Sequence, residues 1–88
     1  MIFFVYLIMI LNLIISEKYA NEILFGKKRQ EYRDFKPFYK SKIEGKDITK
    51  IQFFVGYSAN RVKFICDCTD IVHDENLYEI HIENPIFN

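Results

Sequence analysis

The chain has few cysteines, prolines and glycines, the residues that are abundant in small proteins without a sizeable hydrophobic core. Its 88 residues include no tryptophan, two prolines, three glycines and two cysteines, Cys66 and Cys68. Two cysteines are too few for a disulfide framework, and a pair two positions apart on a strand would make a poor disulfide. A reducing compartment is therefore expected. With no internal repeat or low-complexity segment, the length predicts one small domain with its own core.

The two cysteines are interpreted as small apolar side chains on a buried strand face. A metal site made of Cys66, Cys68, His73 and His81 is the alternative, although Cys-x-Cys with loosely placed histidines matches no strong zinc spacing. We predict no metal and no cofactor.

Neither sign of charge is in excess over the whole chain, whose formal net charge is zero. The distribution along the chain is nevertheless uneven. Residues 17–50 contain ten Lys and Arg against six Asp and Glu, whereas residues 51–88 contain two against six. The basic half weakly favours an anionic ligand.

The first fifteen residues, MIFFVYLIMILNLII, form the one long uncharged apolar run. This run is shorter than the roughly 20 residues of a spanning helix and lacks the positive segment and cleavage site of a secretory signal. We expect residues 1–9 to be an apolar appendage, with translation starting at Met1 or Met9, and residues 10–88 to be a single domain that begins with a buried strand over 10–15. There are two alternatives for this run. Residues 1–15 could be a membrane anchor in a tethered or partner-binding protein, or they could form an extended strand or helix in the core. A cytoplasmic location is preferred.

The most informative segment is residues 26–33, GKKRQEYR, with the pattern Gly-x-Lys-x-x-Glu-x-Arg. An extended chain alternates its side chains between two faces. One face is then predicted to hold Arg29, Glu31 and Arg33, and the other Lys28, Gln30 and Tyr32. Two guanidinium groups oriented by a carboxylate can bind a planar hydrogen-bonding ligand or a phosphate.

Turn and cap signals divide the rest of the chain. Ser16 is a good helix N-cap and Gly26 a good terminator, which predicts a helix over residues 17–25. The motif strand is expected to extend over residues 28–34, followed by a turn or a second short helix from Pro37.

Three further runs predict strands, over residues 51–57, 62–68 and 78–82, and the first two are expected to pair as an antiparallel hairpin across 58–60. Alternation predicts one face of this hairpin to hold Ile51, Phe53, Val55 and Tyr57 on its first strand and Val62, Phe64, Cys66 and Cys68 on its second. The order of elements predicts an α+β fold with one or two short helices and a curled, barrel-like, mainly antiparallel sheet.

With the elements in this order, LNLIISEKYANEILFGKKRQEYRDFKPFY resembles the opening of ASCH domains, small β-barrels of the PUA-like superfamily. The match covers residues 11–64, and its most specific residues are Gly26, Lys28, Glu31 and Arg33. Phe54-Val55-Gly56-Tyr57 resembles a weaker second segment, in which Gly56 is structural like Gly26, and Lys36-Pro37-Phe38-Tyr39 resembles the version common in phage and bacterial genomes. The resemblance implies a cleft between the N-terminal helix and the motif strand, and binding of RNA or a modified nucleotide.

The chain departs from that family in two places. The superfamily's hydrolases, which act on acylated cytidine, use a lysine with a threonine three residues later; Lys28 matches the lysine, but Glu31 stands in the threonine's position. The family also commonly ends in an apolar strand that closes the barrel. Either residues 78–82 supply that strand, or the domain is truncated at its C-terminus and leaves an unpaired edge.

The preferred function is an RNA- or nucleotide-binding module whose cleft lies between helix 17–25 and motif strand 26–33. Its candidate ligand-binding residues are Lys28, Glu31, Tyr32, Arg33 and Tyr57. The cations would contact phosphate or a base edge, the carboxylate would accept from a base or orient the arginine, and the tyrosines would stack. The alternative is a small hydrolase of modified nucleosides or RNA, of amidohydrolase or ribonuclease type, with Lys28 and Glu31 as candidate catalytic residues. The sequence leaves open whether the chain is an enzyme and whether it oligomerises.

Overall fold

The computed structural model describes residues 9–57 and 61–87. Its elements in chain order are β1 (Met9–Ile15), α1 (Glu17–Leu24), β2 (Gln30–Asp34), α2 (Pro37–Ile43), β3 (Ile48–Val55), β4 (Lys63–His73) and β5 (Leu77–Phe87). The strands form one sheet in the order β1-β3-β4-β5-β2. β1 is parallel to β3, and the other three pairings are antiparallel. This α+β fold, with two short helices and a curled half-barrel sheet, confirms the predicted fold class.

β1 is an edge strand with one buried face. Its buried residues are Leu11, Leu13 and Ile15, as expected for the predicted first strand, which begins at Met9. A parallel pair needs a crossover of a dozen or more residues, and residues 16–47 supply it with α1, β2 and α2. Residues 1–8 of the predicted appendage lie outside the described part of the chain. No helix within the described part has the length and apolar content that a membrane crossing requires.

Both helices begin at the predicted signals, and α1 ends just before the predicted terminator. The hydroxyl of Ser16 accepts a hydrogen bond from the backbone N–H of Tyr19 at 3.3 Å, which caps α1. Gly26 follows the helix with a φ of +76°, a conformation that costs side-chain-bearing residues energy. Pro37 lies in the first turn of α2, where its missing N–H has no partner to lose.

One apolar cluster joins the sheet to both helices. Ala20 and Ile23 of α1 and Ile43 of α2 are buried in the same cluster as the inward residues of the strands. Phe53 on β3 and Phe64 on β4 lie opposite each other, with ring centroids 5.2 Å apart. Because strand residues alternate between faces, this pattern places both helices on the same face of the sheet.

The sheet curls where the β4–β5 pairing is interrupted. Register shifts fall between Ile65 and Asp67 and between Cys68 and Asp70. Beside the first shift, Asn84 has a φ of +55°, and its side-chain amide donates to the Asp67 carboxylate at 3.0 Å. Bulges bend a strand and increase its twist. The curvature brings the two edge strands, β1 and β2, within reach of each other's side chains.

The β3–β4 hairpin confirms the predicted pairing, but its ends differ from the prediction. β3 ends at Val55, and Gly56 turns the chain with a φ of +74°. Tyr57 is 86% exposed beyond the end of β3, and Val62 is exposed just before β4. Alternation applies only while the backbone stays extended, so it does not assign a face to either residue. The turn residues 58–60 lie outside the described residues.

β5 contains the predicted strand at residues 78–82 and continues to Phe87. It pairs with β4 on one side and with β2 on the other. It is therefore an interior strand that aligns the motif strand β2 with the core.

Candidate nucleotide cleft

The pairing of the motif strand β2 with β5 shows on which face of the sheet each motif side chain lies. Glu31 lies opposite Ile80, and Arg33 lies opposite Tyr78. Cross-strand partners share a face, so Glu31 and Arg33 lie on the same side of the sheet as the buried Ile80 and Tyr78. Tyr32 lies on the other face, where its hydroxyl donates to Glu79 at 3.2 Å.

Glu31 is the buried charged residue of the described chain, with 6% of its surface exposed. Its Oε1 accepts a hydrogen bond from the backbone N–H of Tyr32 at 2.9 Å and lies 3.6 Å from the ammonium of Lys28. Its Oε2 lies 3.8 Å from Arg33 Nη2 and has no hydrogen-bond donor among the described residues. A buried acceptor without a donor costs about 1–3 kcal/mol, so this oxygen favours a ligand that can donate.

Lys28 takes the place that the alternation rule assigned to Arg29. β2 begins at Gln30, so Lys28 and Arg29 lie in the preceding loop and do not follow strand alternation. The Lys28 ammonium lies 4.3 Å from the ring centroid of Tyr19 and contacts Glu31. Arg29 is exposed, and its carbonyl accepts from the N–H of Ile82. The predicted faces for these two residues were therefore wrong, and the pair of cations around Glu31 is Lys28 and Arg33.

Arg33 joins the two edges of the half-barrel. Its Nη2 donates to the carbonyl of Ile14 on β1 at 2.8 Å, and its Nη1 donates to the Tyr39 hydroxyl on α2 at 3.2 Å. Its guanidinium also lies 3.8 Å from Glu31 on its own strand. A guanidinium has five N–H donors, so these contacts fix the group while leaving donors for a ligand.

A cleft of about 370 Å³ opens at this cluster, below the first turn of α1. We call it the Glu31 cleft. It is lined by Ile14, Ile15, Ser16, Tyr19, Glu31, Tyr32, Arg33, Asp34 and Tyr39. Its volume falls in the range of about 300–1,000 Å³ typical of small-molecule sites. The carboxylate, the guanidinium and the side chains of Tyr19 and Tyr39 thus share one concave surface, whereas the predicted ligand residue Tyr32 directs its side chain to the other face of the sheet.

The structure separates the other predicted ligand residues from this cleft. Lys28 reaches Glu31 from the side and lines a smaller hollow of about 200 Å³ near Gly26 and Ile82. Tyr57 lines a neighbouring cleft together with Arg33 and Tyr39. Gly26 and Gly56, predicted to be structural, both have positive φ at the ends of an element.

Sequence reasoning missed Tyr19 and Tyr39. Neither residue was among the candidate ligand-binding residues. Each lies one turn or less from a helix start, at Ser16 and Pro37. The first turn of a helix lies near the end of the strand that precedes it. A tyrosine in the first turn of a helix beside a charged motif is therefore the signal that could have identified Tyr19 and Tyr39.

The cysteines occupy ordinary packing positions. Cys66 is 1% exposed, and burial raises the pKa of its thiol to about 12. Burial also raises the pKa of Cys68. His73 stacks on Phe35 with ring centroids 4.3 Å apart. In residues 9–57 and 61–87 no group of three or more His, Cys, Asp or Glu side chains is arranged to hold a metal ion.

Comparison of the chain with protein-family models, curated proteins and solved structures finds no match. The resemblance to ASCH domains therefore stays a prediction. The function is inferred below from the chemistry of the cleft.

Proposed function

We propose that this chain is an RNA- or nucleotide-binding module of the ASCH and PUA-like type, and that the Glu31 cleft holds a nucleobase and its phosphate. The main support is the buried Glu31 carboxylate, which has one oxygen without a hydrogen-bond donor and lies beside a fixed guanidinium in an open cleft. This combination offers an acceptor for a base and a donor for an anion within one small site.

The carboxylate suits the donor groups of a base. Exocyclic amines and ring N–H groups donate hydrogen bonds, and Asp or Glu side chains accept them from cytosine in known nucleic-acid complexes. The Oε2 of Glu31 is itself buried, and because the terminal torsion of a glutamate is soft, a ligand would reach this oxygen through a rotation of the carboxylate. A ligand amine would then satisfy an oxygen that lacks a donor in the described residues.

The cations suit the phosphate. Arg33 presents a guanidinium whose plane is fixed by Ile14 and Tyr39, which matches the fork geometry of phosphate recognition. Ser16 and Tyr19 bring the N-terminal turn of α1 to the same cleft, where free backbone N–H groups favour anions. Glu17 in that turn offsets part of this field.

The tyrosines suit the base faces. Tyr19 and Tyr39 line the cleft, and Tyr19 remains substantially exposed. Aromatic stacking contributes about 1–3 kcal/mol per base in single-strand binders and tolerates any sequence.

A hydrolase of modified nucleosides or RNA is the second candidate, because Lys28 and Glu31 are in contact at 3.6 Å. Two observations favour binding instead. The Lys28 ammonium contacts a carboxylate and an aromatic face, contacts that a protonated amine makes, whereas a nucleophilic lysine must lose its proton. Lys28 also lies outside the lining of the Glu31 cleft.

Fluorescence anisotropy with labelled single-stranded RNA and DNA oligonucleotides tests the proposal, with nucleoside monophosphates as competitors. We expect Glu31→Gln to weaken binding roughly tenfold or more, because a charged hydrogen bond contributes about 1.5–3 kcal/mol. Glu75→Gln, an exposed loop carboxylate, is the matched control and should bind like the wild type. Affinity should also fall with added salt.

The absence of binding by the folded wild type, or equal affinities for the two glutamine variants, would contradict the proposal. Incubation with acylated cytidine and with RNA separates the hydrolase. Product that Lys28→Gln abolishes would favour the enzyme over the binding module.

A further inference from the structure

A second cleft adjoins the Glu31 cleft, and we call it the Tyr57 cleft. Its volume is about 470 Å³. It is lined by Asn12, Leu13, Ile14, Arg33, Phe38, Tyr39, Lys42, Phe54, Tyr57 and Arg61. Ile14, Arg33 and Tyr39 line both clefts. A ligand that filled both would therefore pass directly over the Arg33 guanidinium.

The Tyr57 cleft carries positive charge. Arg33, Lys42 and Arg61 line it, and none of its described lining residues is Asp or Glu. The Lys42 ammonium lies 5.1 Å from the ring centroid of Phe38, and the Arg61 guanidinium lies 4.6 Å from that of Phe54. Neither cation has a carboxylate within ion-pair distance among the described residues. Cations held against aromatic rings keep their full charge available to an anion.

The cleft also exposes flat aromatic surface. Tyr57 is 86% exposed and Phe38 is 63% exposed. Both residues line the same cleft as Lys42 and Arg61. Exposed aromatic rings interleaved with cations and without carboxylates are the surface on which single-stranded nucleic acids stack their bases and pair their phosphates.

We propose that the Tyr57 cleft is a second nucleotide subsite, so that the ligand is a single strand of at least two nucleotides rather than a free mononucleotide. Arg33, at the junction of the two clefts, contacts the phosphodiester that joins the two nucleotides. Tyr57 and Phe38 stack the second base, and Lys42 and Arg61 contact the next phosphate. The inference rests on the proposed function of the Glu31 cleft and extends it to the length of the ligand.

Isothermal titration calorimetry of the full chain with 5′-mononucleotides and with a mixed-sequence RNA tetranucleotide tests this inference. We expect the tetranucleotide to bind at least about tenfold more tightly, since the second subsite adds a stacked base and the contacts of Lys42 and Arg61 with a phosphate. Lys42→Gln/Arg61→Gln should remove most of that difference and leave mononucleotide affinity within about twofold. It should also reduce the salt slope of tetranucleotide binding by up to about 0.7, for the one phosphate that the two cations contact on a single strand.

The matched control is Lys27→Gln/Lys46→Gln, which removes the same charge from exposed positions outside both clefts. Equal affinities of mononucleotide and tetranucleotide, or equal losses in the two double variants, would overturn the second subsite. Displacement of the tetranucleotide by a hexaglutamate peptide at the same concentration would overturn its assignment to nucleic acid.

The outcomes also separate the two proposals. If the tetranucleotide needs Lys42 and Arg61 but binds Glu31→Gln as tightly as the wild type, the Glu31 cleft has no base-binding role and the Tyr57 cleft keeps its assignment. If neither nucleotide binds the folded wild type, both proposals are wrong.

Discussion

Replacing Arg33 by methionine should destabilise the fold because this side chain joins the two edges of an open sheet. The guanidinium donates to the Ile14 carbonyl on β1 at 2.8 Å and to the Tyr39 hydroxyl on α2 at 3.2 Å. It is also one of two cations beside the buried Glu31. Methionine keeps an unbranched apolar stem but removes the charge and every donor.

The expected cost can be estimated from these contacts. A hydrogen bond from a charged donor contributes about 1.5–3 kcal/mol, and the partner left without a donor adds part of a desolvation penalty. The Glu31 contact is long, and Lys28 and the Tyr32 N–H remain, so the loss stays below the roughly 3–5 kcal/mol of a fully broken buried pair. We therefore expect Arg33→Met to lower the free energy of unfolding by about 2–4 kcal/mol, a large share of the about 5–15 kcal/mol typical of domains.

Urea unfolding followed by far-UV circular dichroism measures this change, because the chain has no tryptophan to report it by fluorescence. Arg29→Met, in the exposed loop before the same strand, is the control and should cost less than about 0.5 kcal/mol. In a Glu31→Gln background the loss should shrink by about 1 kcal/mol or more, since a neutral side chain does not need the cation. A loss for Arg33→Met as small as that for Arg29→Met would show that Arg33 does not join the two sheet edges, and strict additivity with Glu31→Gln would show that it does not interact with Glu31.

Three further predictions follow from single positions. Gly56→Val should lower the free energy of unfolding by about 1–2 kcal/mol, and Gly56→Asn should lower it by less. A Cβ at this position would meet no other atom, so the cost comes from the positive φ alone, which asparagine tolerates better than valine. Equal losses of the two variants in urea unfolding would contradict this. Hydrogen bonds from Lys50 and Asn84 lower the pKa of the Asp67 carboxylate from its ordinary value of 3.8. Its contribution to stability is therefore complete above about pH 3.8 and is lost as the pH falls through its lower pKa in the folded state. Asp67→Asn should therefore flatten the acid limb of the stability profile, and an unchanged slope would count against it. Cys66 is buried, and the pKa of its thiol is raised to about 12. It should therefore not react with a thiol reagent at about pH 8 until the chain unfolds, whereas the half-buried Cys68 should label first. Labelling of both cysteines in the native protein would disprove the burial of Cys66.

The elements that local chemistry determines could be predicted from the sequence. The cap at Ser16 and the terminator at Gly26 set the bounds of α1, and Pro37 sets the start of α2. The apolar run predicted a first strand over residues 10–15, and alternating apolar residues predicted which residues share a face on most of β3. Each of these signals acts within a few residues, so a single sequence contains it.

The features that depend on distant partners were not predictable. The parallel pairing of β1 with β3 follows from how α1, β2 and α2 pack, and no local signal encodes it. The bond from Arg33 to the Ile14 carbonyl joins residues at opposite edges of the sheet. Lys28 displaced Arg29 from the cluster because β2 begins two residues later than alternation suggested. The sequence thus identified the motif strand of the candidate site. The residues of other elements that contact this strand, and the second cleft, became visible only in the curled sheet.

An amide chemical-shift titration of the isotope-labelled chain with a single-stranded RNA tetranucleotide shows whether nucleic acid occupies the Glu31 cleft. We expect the largest shift changes to cluster at this cleft, at the amides of Ser16, Tyr19, Glu31, Arg33 and Tyr39. Changes confined to surfaces away from that cleft, such as the exposed Phe25 or the Ile86 end of β5, or no saturable change at all, would contradict it.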